Sequence, residues 1–182
     1  MWNPDSIDDK FDILDQDWNF TWKIKNWLDI HKDWDWHGAV HLWIFNNKNQ
    51  ILIRKRPSSR FANPSKWDVG CWWHIFPWDN GLDTAIKKAL SQLGIVLNEK
   101  NLKFLFTLKD ESIFNSGTYI DNEIFSVFSF NVDTNKTAIK PKKELVEEFK
   151  FIDVSELKEN ILNKNPNFII RQNEFKKILN FL

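Results

Sequence analysis

The sequence has little glycine, little cysteine, no long apolar run and no excess of charge of either sign. A single cysteine excludes an internal disulfide and is typical of a reducing compartment. Lys and Arg together number 25, as do Asp and Glu, so the chain lacks the global positive field of nucleic-acid-binding and membrane-surface proteins. No apolar stretch has the length of a membrane span, and the acidic N-terminus does not have the pattern of a signal peptide. We therefore expect a cytoplasmic protein with no nucleic-acid partner and no membrane partner, while the oligomeric state is left open.

The glycine shortage is matched by an excess of tryptophan. The chain has 5 Gly and 11 Trp, whereas ordinary usage of roughly 7% Gly would give about 13 in a chain of this length. Trp18, between Asp17 and Asn19, and Trp34, between Asp33 and Asp35, lie in segments typical of turns, where a positive φ favours glycine. One hypothesis is that the gene uses UGA for glycine and is translated here with UGA as tryptophan. The alternative is that these indoles are genuine.

The clearest periodic pattern lies in residues 71–95, and a chain of 182 residues fits one domain. Apolar side chains recur there at the spacing of one face of an amphipathic helix: Leu82, Ala85, Ile86, Ala89, Leu90 and Leu93. Asp79 or Asn80 can cap the start of this helix, and Gly94 stands where a left-handed residue would end it.

Alternating and apolar segments predict the remaining elements. We expect a hairpin over residues 10–25, strands at 36–45, 51–56, 102–108, 119–130 and 149–152, a helix from Asp153 or Ser155, and a last helix capped by Asn173. This order favours an α/β protein with a mixed β-sheet between helical layers, an α/β/α sandwich. Within a single domain of residues 1–182, we expect an N-terminal hairpin extension (1–36), a core (37–152) and C-terminal helices (153–182).

The spacing within residues 71–95 resembles the Nudix box, a glycine followed by glutamates and an Arg-Glu pair on one helix. On that frame Trp73 takes the first glycine position, Asp79 the first glutamate position and Lys87 the arginine position, whereas Lys88, Ser91 and Gln92 take those of the later glutamates. The likeness extends to GTYIDNE at 117–123 and NPNF at 165–168. The chain is thus identified as a member of the Nudix superfamily, similar to its isopentenyl-diphosphate isomerase branch. Relatives commonly have glycine where this chain has Trp22, Trp72, Trp73 and Trp78, which extends the UGA hypothesis to six positions.

The resemblance implies a diphosphate-linked small molecule or nucleotide as ligand and a divalent metal, Mg²⁺ or Mn²⁺, as cofactor. Glutamates at 88, 91 and 92 would lie on one helical face as hard oxygen ligands. An ammonium, a hydroxyl and an amide do not neutralise a divalent ion, so the box is degenerate and Asp79 is its one remaining acidic candidate.

A second metal site is implied by similarity to type I isopentenyl-diphosphate isomerases, which bind a metal through three histidines and two acidic residues. His37, His74, Asp121 and Glu123 match these positions, His31 is one residue out of spacing, and Glu123 is also the main catalytic candidate. Imidazole and carboxylate ligands together suit Mn²⁺, Zn²⁺ or Fe²⁺ better than Mg²⁺. The alternative is that the histidines are hydrogen-bonded structural residues and the two acidic residues belong to a solvated turn.

Basic side chains lie around the loop that faces the diphosphate in the family. Arg56, Arg60 and Lys66 are the candidate phosphate ligands, with Lys88 on the box helix as a fourth; the alternative is an ordinary solvated basic loop. Cys71 lies one position before the catalytic cysteine position of the isomerases, which is Trp72 here, and one step along a strand turns a side chain to the other face.

Two functions follow from these observations. The chain is either a metal-dependent enzyme that acts on a diphosphate-linked small molecule, nominally as a Nudix hydrolase or an isomerase-like protein, or a catalytically inactive Nudix-fold module. In the second case Lys88 would neutralise phosphate without a metal.

Overall fold

A computed structural model describes residues 8–60, 62–114 and 119–182, so the first two residues of the GTYIDNE segment lie outside the described chain. The strands are β1 (Lys10–Leu14), β2 (Phe20–Asn26), β3 (Trp36–Asn46), β4 (Ile51–Lys55), β5 (Trp67–Val69), β6 (Cys71–His74), β7 (Lys103–Phe114), β8 (Tyr119–Val132) and β9 (Glu148–Ile152). The α-helices are α1 (Trp27–Lys32), α2 (Gly81–Leu93), α3 (Val154–Leu162) and α4 (Gln172–Ile178).

The sheet is organised around β3. Along one edge β3 pairs in parallel with β8, which in turn pairs antiparallel with β7. Along its other edge β3 meets three strands in succession, all antiparallel: β1 near His37, β6 from Ala39 to Leu42, and β4 at Phe45. The β2 strand extends the sheet beyond β1, and β5 and β9 flank β4. This pairing brings the end of β6 and the first part of β8 to the same end of β3.

Helices cover both faces of the sheet. On one face Val40, Leu42 and Ile44 of β3 pack in a buried cluster with the apolar stripe of α2. On the opposite face Ala39, Trp43 and Phe45 pack with residues of α3 and α4. The strict alternation along β3 therefore divides the core into two layers, and the predicted α/β/α sandwich with a mixed sheet is confirmed. Within the described residues, no helix combines the length and apolarity needed to cross a membrane.

Helix α2 begins and ends as its sequence predicts. The side chain of Asn80 accepts a hydrogen bond from the Asp83 backbone N–H at 2.9 Å, and Gly94 ends the helix with a φ of 68°. Capping of this kind satisfies backbone groups that the first and last turns leave without partners. Leu90 is an exception to the predicted stripe, since its side chain is mostly exposed.

Three predictions about elements need correction. Helix α1 was not expected, because six residues are too few to show a helical period, and it places His31 on a helix rather than beside a turn. Asn173 does not cap α4, which begins at Gln172 with Arg171 as its N-cap residue. The β7 strand extends further than predicted, to Phe114, because its outer residues pair with the start of β8 in a long hairpin whose polar side chains obscure the strand pattern. The β8 strand extends to Val132 because its last residues continue to pair with the end of β3.

Candidate metal centre and adjoining cleft

Four buried side chains from four different elements converge at one end of β3. His31 comes from α1, His37 from β3, His74 from the end of β6, and Asp121 from β8. One nitrogen or oxygen of each lies within 4.8 Å of those of the other three, a spacing at which all can reach one ion. The register of the sheet explains the meeting, since β6 pairs Ala39 with His74 and β8 pairs His37 with Glu123.

Helix α1 brings His31 into this group. The Asn26 side chain caps the helix by accepting from the Asp29 N–H, and the buried Trp27 and Ile30 seat it against the β1 strand. The sequence spacing that placed His31 one residue away from the family pattern has no consequence here, because one turn of helix carries its ring to the cluster.

The backbone orients two of the imidazoles. Nδ1 of His31 lies 2.6 Å from the Trp27 carbonyl oxygen, and Nδ1 of His37 lies 3.2 Å from that of Asp35. A carbonyl only accepts, so these contacts place a proton on Nδ1 of each ring and turn Nε2 towards the cluster, where it faces Oδ1 of Asp121 at 3.2 Å for His31 and 3.3 Å for His37. Nε2 of His74 is buried 3.3 Å from Oε1 of Glu123, and neither this contact nor that of His37 has the geometry of a hydrogen bond. These inward-facing nitrogens, with one carboxylate, fit a divalent transition metal or Zn²⁺.

The electrostatics of the cluster separate its two carboxyl groups. Burial opposes the ionisation of Asp121, but the adjoining His31 and His37 rings hold its pKa below the usual range. Burial and the Asp121 charge raise the pKa of Glu123 well above its usual range. Burial and the neighbouring His37 also hold the pKa of His74 well below the usual range. These shifts favour the ionised form of Asp121, the neutral form of His74 and the protonated form of Glu123.

Glu123 lies between this cluster and an open cleft. Its Oε1 atom is 3.3 Å from Nε2 of His74, although it is not among the four converging ligand groups. The cleft beside it has a volume of about 390 Å³. Cationic and acidic side chains line it together: Arg56, Lys66 and Arg171, with Asp110, Glu111, Asp121 and Glu123. The structure thus brings together the predicted residues Arg56, Lys66, Asp121 and Glu123.

A buried carboxylate fixes the arginines of the cleft. Asp68 on β5 lies 3.5 Å from Arg54 Nη2, 3.6 Å from Arg56 Nη1, and in direct contact with Arg171 Nη1. Burial alone would raise the pKa of Asp68, but the three guanidinium groups lower it below its usual range. Asp68 is therefore an anion that holds Arg56 and Arg171 at the cleft surface. Sequence reasoning missed both Asp68 and Arg171, since neither is part of a local pattern.

Two predicted phosphate ligands lie elsewhere. Arg60 and Lys88 stack on the two-ring side chain of Trp73, with their cationic groups 5.1 and 4.1 Å from its centre. Neither is among the residues that line the cleft. Burial lowers the pKa of Lys88 to about 8.

The other residues of the box helix do not form an acidic face. Asp79 pairs with Lys87 at 2.6 Å and lines a separate cavity near Phe20, so it does not join the histidine cluster. Gln92 donates from Nε2 to the Trp72 carbonyl oxygen at 3.2 Å. Ser91 donates to the Lys88 carbonyl oxygen at 3.4 Å.

Cys71 faces away from the cleft, as its position along the strand predicts. Its side chain packs in the cluster below α2, whereas Trp72 lines the cleft. Burial raises the pKa of the Cys71 thiol to about 12.

Comparison with known proteins places this geometry in a family. No family model matches the chain. Isopentenyl-diphosphate Delta-isomerase 1 of Photorhabdus laumondii is 30% identical over 164 residues, which cover 84% of this chain and 90% of that protein. Nudix hydrolase 3 of Arabidopsis thaliana is 27% identical over 165 residues, which cover 89% of this chain; the chain spans only 21% of that longer protein.

Solved structures share the fold at low sequence identity. The structure of DR0079 from Deinococcus radiodurans aligns with a TM-score of 0.67 at 13% identity, covering 85% of this chain and 90% of its own. The NUDIX domain of Shewanella oneidensis NrtR, solved with ADP ribose, aligns with a TM-score of 0.56 at 13% identity, covering 79% and 86%. The chain therefore belongs to the Nudix superfamily and is isopentenyl-diphosphate isomerase-like within it.

Proposed function

We propose that this chain is a metal-dependent enzyme that hydrolyses a diphosphate-linked small molecule in the cleft beside Glu123. One observation carries the proposal: four buried ligand groups lie within 4.8 Å of one another, and one of them, Asp121, also lines a cleft that carries Arg56, Lys66 and Arg171. Guanidinium groups and a divalent metal ion both bind the oxygens of a diphosphate, and this cleft adjoins residues that offer each of them.

The cationic wall would bind and orient the substrate. Arg56 and Arg171 present guanidinium groups, which match phosphate oxygens in geometry, and Lys66 adds a point charge. Because Asp68 contacts Arg171 and lies 3.6 Å from Arg56, both are held in place before the ligand arrives. Asp68 is a positioning residue, and its role is to reduce the ordering that binding would otherwise require.

The metal-site residues would act on the opposite side of the diphosphate. His31, His37, His74 and Asp121 would hold a divalent ion such as Mn²⁺, Zn²⁺ or Fe²⁺. When bound, such an ion polarises a phosphoryl oxygen and stabilises the charge that develops on it. Glu123 lies at the boundary between cluster and cleft, where its carboxyl group can hold a proton or transfer it to an oxygen of the substrate.

Hydrolysis is favoured over isomerisation by the position of the thiol. Proton transfer to both faces of an alkene needs two groups that reach the substrate. Cys71 is buried on the α2 side of the sheet, and the Trp72 side chain occupies the cleft side. The ADP ribose bound by the Shewanella neighbour supports a nucleoside-diphosphate derivative as the substrate class.

A non-catalytic module is the second candidate. It is favoured by the replacement of the box glutamates, since the helix presents Lys88, Ser91 and Gln92 where the family has metal-binding carboxylates. In that case the arginine wall would bind a nucleotide or diphosphate without breaking it.

The purified chain should be incubated with Mn²⁺ or Mg²⁺ and a panel of nucleoside diphosphate derivatives, dinucleotides and isopentenyl diphosphate. We expect phosphate or nucleotide release that disappears in Glu123→Gln and persists in Glu148→Gln, a matched change at an exposed carboxylate on β9. Binding without turnover would contradict the proposed hydrolase and support the non-catalytic module. Conversion of isopentenyl diphosphate to its isomer would contradict the assignment as a hydrolase.

A further inference from the structure

Four tryptophans have a backbone conformation that suits glycine. The φ angles of Trp18, Trp22, Trp34 and Trp78 are 73°, 62°, 63° and 70°. In this left-handed region a Cβ atom crowds the following carbonyl, so glycine is the usual residue and a bulky side chain is an outlier. Among the described residues, the other non-glycine positions with positive φ hold smaller or flexible polar side chains: Asn49, Asn63, Ser65 and Lys164.

Exposure separates the same four tryptophans from the others. Their exposed fractions are 44% for Trp18, 84% for Trp22, 57% for Trp34 and 86% for Trp78, so little packing compensates for the strained backbone. The other described tryptophans are buried or half-buried and none has a positive φ: Trp27, Trp36, Trp43, Trp67, Trp72 and Trp73.

Two of the four occupy turn positions that glycine normally takes. Trp78 is the third residue of a turn closed by a 3.1 Å hydrogen bond from the Asp79 N–H to the Phe76 carbonyl, with Pro77 second. Proline second and positive φ third is the pattern of a type II turn, which calls for glycine at the third position. Trp34 follows the end of α1, where the Asp35 N–H donates to the Ile30 carbonyl at 3.0 Å. That bond defines a Schellman motif with Trp34 at its left-handed residue, the position that ends α2 with Gly94.

The other two lie in the β1–β2 hairpin. Trp18 is in the connecting turn, where its N–H donates to the Asp15 carbonyl at 3.1 Å. Trp22 lies where the pairing register shifts between Asp12 and Leu14, so the second strand carries extra residues. Glycine in the left-handed conformation is the usual first residue of such a bulge.

We infer that the protein made in its own organism has glycine at positions 18, 22, 34 and 78, because that organism reads UGA as glycine. A substitution by chance would not select turn, helix-end and bulge positions together. The same codon reading accounts for the shortage of glycine beside the excess of tryptophan.

For the site, the inference extends to positions 72 and 73 and rests on the proposed function. The Trp72 ring lies 5.3 Å from the Arg56 guanidinium and lines the cleft with Glu123. The Trp73 ring lies against both Arg60 and Lys88. Glycine at position 72 would widen the cleft, and glycine at position 73 would remove the indole that both cations contact, so that Arg60 and Lys88 would form a second anion-binding group.

The gene's codons and the peptides of the natural protein show which residue stands at each of these tryptophan positions. We expect UGA at positions 18, 22, 34, 72, 73 and 78 and UGG at 43 and 67, with glycine at the UGA positions in peptides from the source organism. UGG at 18, 22, 34 or 78, or peptides with tryptophan there, overturns the inference. UGG at 72 overturns the wider cleft, and UGG at 73 overturns the second anion-binding group.

Two sets of variants test the physical consequences. Changing Trp18, Trp22, Trp34 and Trp78 together to Gly should raise the thermal midpoint, whereas the control pair Trp36→Gly and Trp67→Gly should lower it. A lower midpoint in the fourfold variant contradicts the strain argument. The W72G/W73G variant should bind inorganic diphosphate at least tenfold more tightly than the chain as written, and Lys88→Ala should reduce that gain. If the W72G/W73G variant binds diphosphate no more tightly, the second anion-binding group is overturned. If the codons at 72 and 73 nevertheless read UGA, the inference about glycine stands and the proposed function is what fails.

Discussion

At the scale of single residues, one buried carboxylate determines how the cleft presents positive charge. Asp68 contacts or closely approaches three arginines, and two of these line the cleft. When either member of a buried carboxylate–guanidinium pair is removed, the other is left as a buried charge without compensation. The positions of the cleft arginines therefore depend on the whole group of Asp68 and its three arginines.

Arg171→Gln should weaken binding of inorganic diphosphate about tenfold, since a charge-assisted contact contributes on the order of 1.5–3 kcal/mol. Titration calorimetry measures the change. The matched control is Lys158→Gln, which removes the same charge from an exposed position on α3 and should leave the affinity unchanged. Equal losses in the two variants would indicate a general charge effect and contradict a direct role for Arg171.

Cys71 should resist alkylation in the folded protein. Burial raises the pKa of its thiol to about 12, so the reactive thiolate is nearly absent at pH 8. Mass spectrometry after iodoacetamide treatment should show modification only when a denaturant is present. Rapid labelling of the native chain would show that the thiol is accessible and would contradict the argument against isomerisation.

At the scale of elements, sequence patterns predict those parts that repeat a period. The stripe of α2, its Asn80 cap and Gly94, and the long β3 strand were all visible because one face of each element is buried over many residues. Helix α1 was not, since its six residues carry no period and its capping Asn26 resembles the polar turns around it. The histidine cluster was anticipated by resemblance, whereas the contribution of α1 to it depends on tertiary packing.

The Asn26→Ala variant tests whether helix α1 orients His31 for metal binding, apart from the general loss of stability when a helix cap is removed. Loss of an N-cap costs about 1 kcal/mol of unfolding free energy, and loosening α1 should reduce the affinity for Mn²⁺ about tenfold because His31 loses its orientation. Asn80→Ala is the control, since both Asn side chains accept at 2.9 Å from the N–H three residues on. Denaturant unfolding and metal titration should show similar stability losses but a loss of Mn²⁺ affinity in Asn26→Ala alone. Equal metal affinities would show that α1 does not orient His31.

At the scale of the whole molecule, Lys88 connects stability to pH. Burial lowers its pKa from 10.5 to about 8 in the folded chain. Between about pH 8 and 10.5 the unfolded chain therefore holds more protons, so this group's contribution to stability increases as pH rises. Its charged form is a cost at pH 7.

Lys88→Met should raise the thermal midpoint at pH 7 and raise it less at pH 10. Thermal melts across this range measure the difference, with Lys143→Met, an exposed lysine, as the control whose effect should not change with pH. A constant gain for Lys88→Met would contradict the shifted pKa.

The sequence predicts the overall architecture better than it predicts the site. Alternation along β3 and the α2 stripe fix which faces of the sheet are covered, and this gives the sandwich. The cleft joins residues of β6, β7 and β8 with others from the segments that follow β4, precede β5 and precede α4, and none of these segments shows by itself that its charges will meet. Asp68 and Arg171 are 103 positions apart, so only the folded chain reveals that they are partners.

The metal content of the purified chain tests the central claim most directly. After loading with Mn²⁺ or Zn²⁺ and desalting, elemental analysis should find about one ion per chain. His31→Ala and His74→Ala should lose it, while His41→Gln should retain it, because His41 is a buried histidine bonded to Glu174 outside the cluster. Folded His31 and His74 variants that keep the ion, or a His41 variant that loses it to the same extent, would contradict the site.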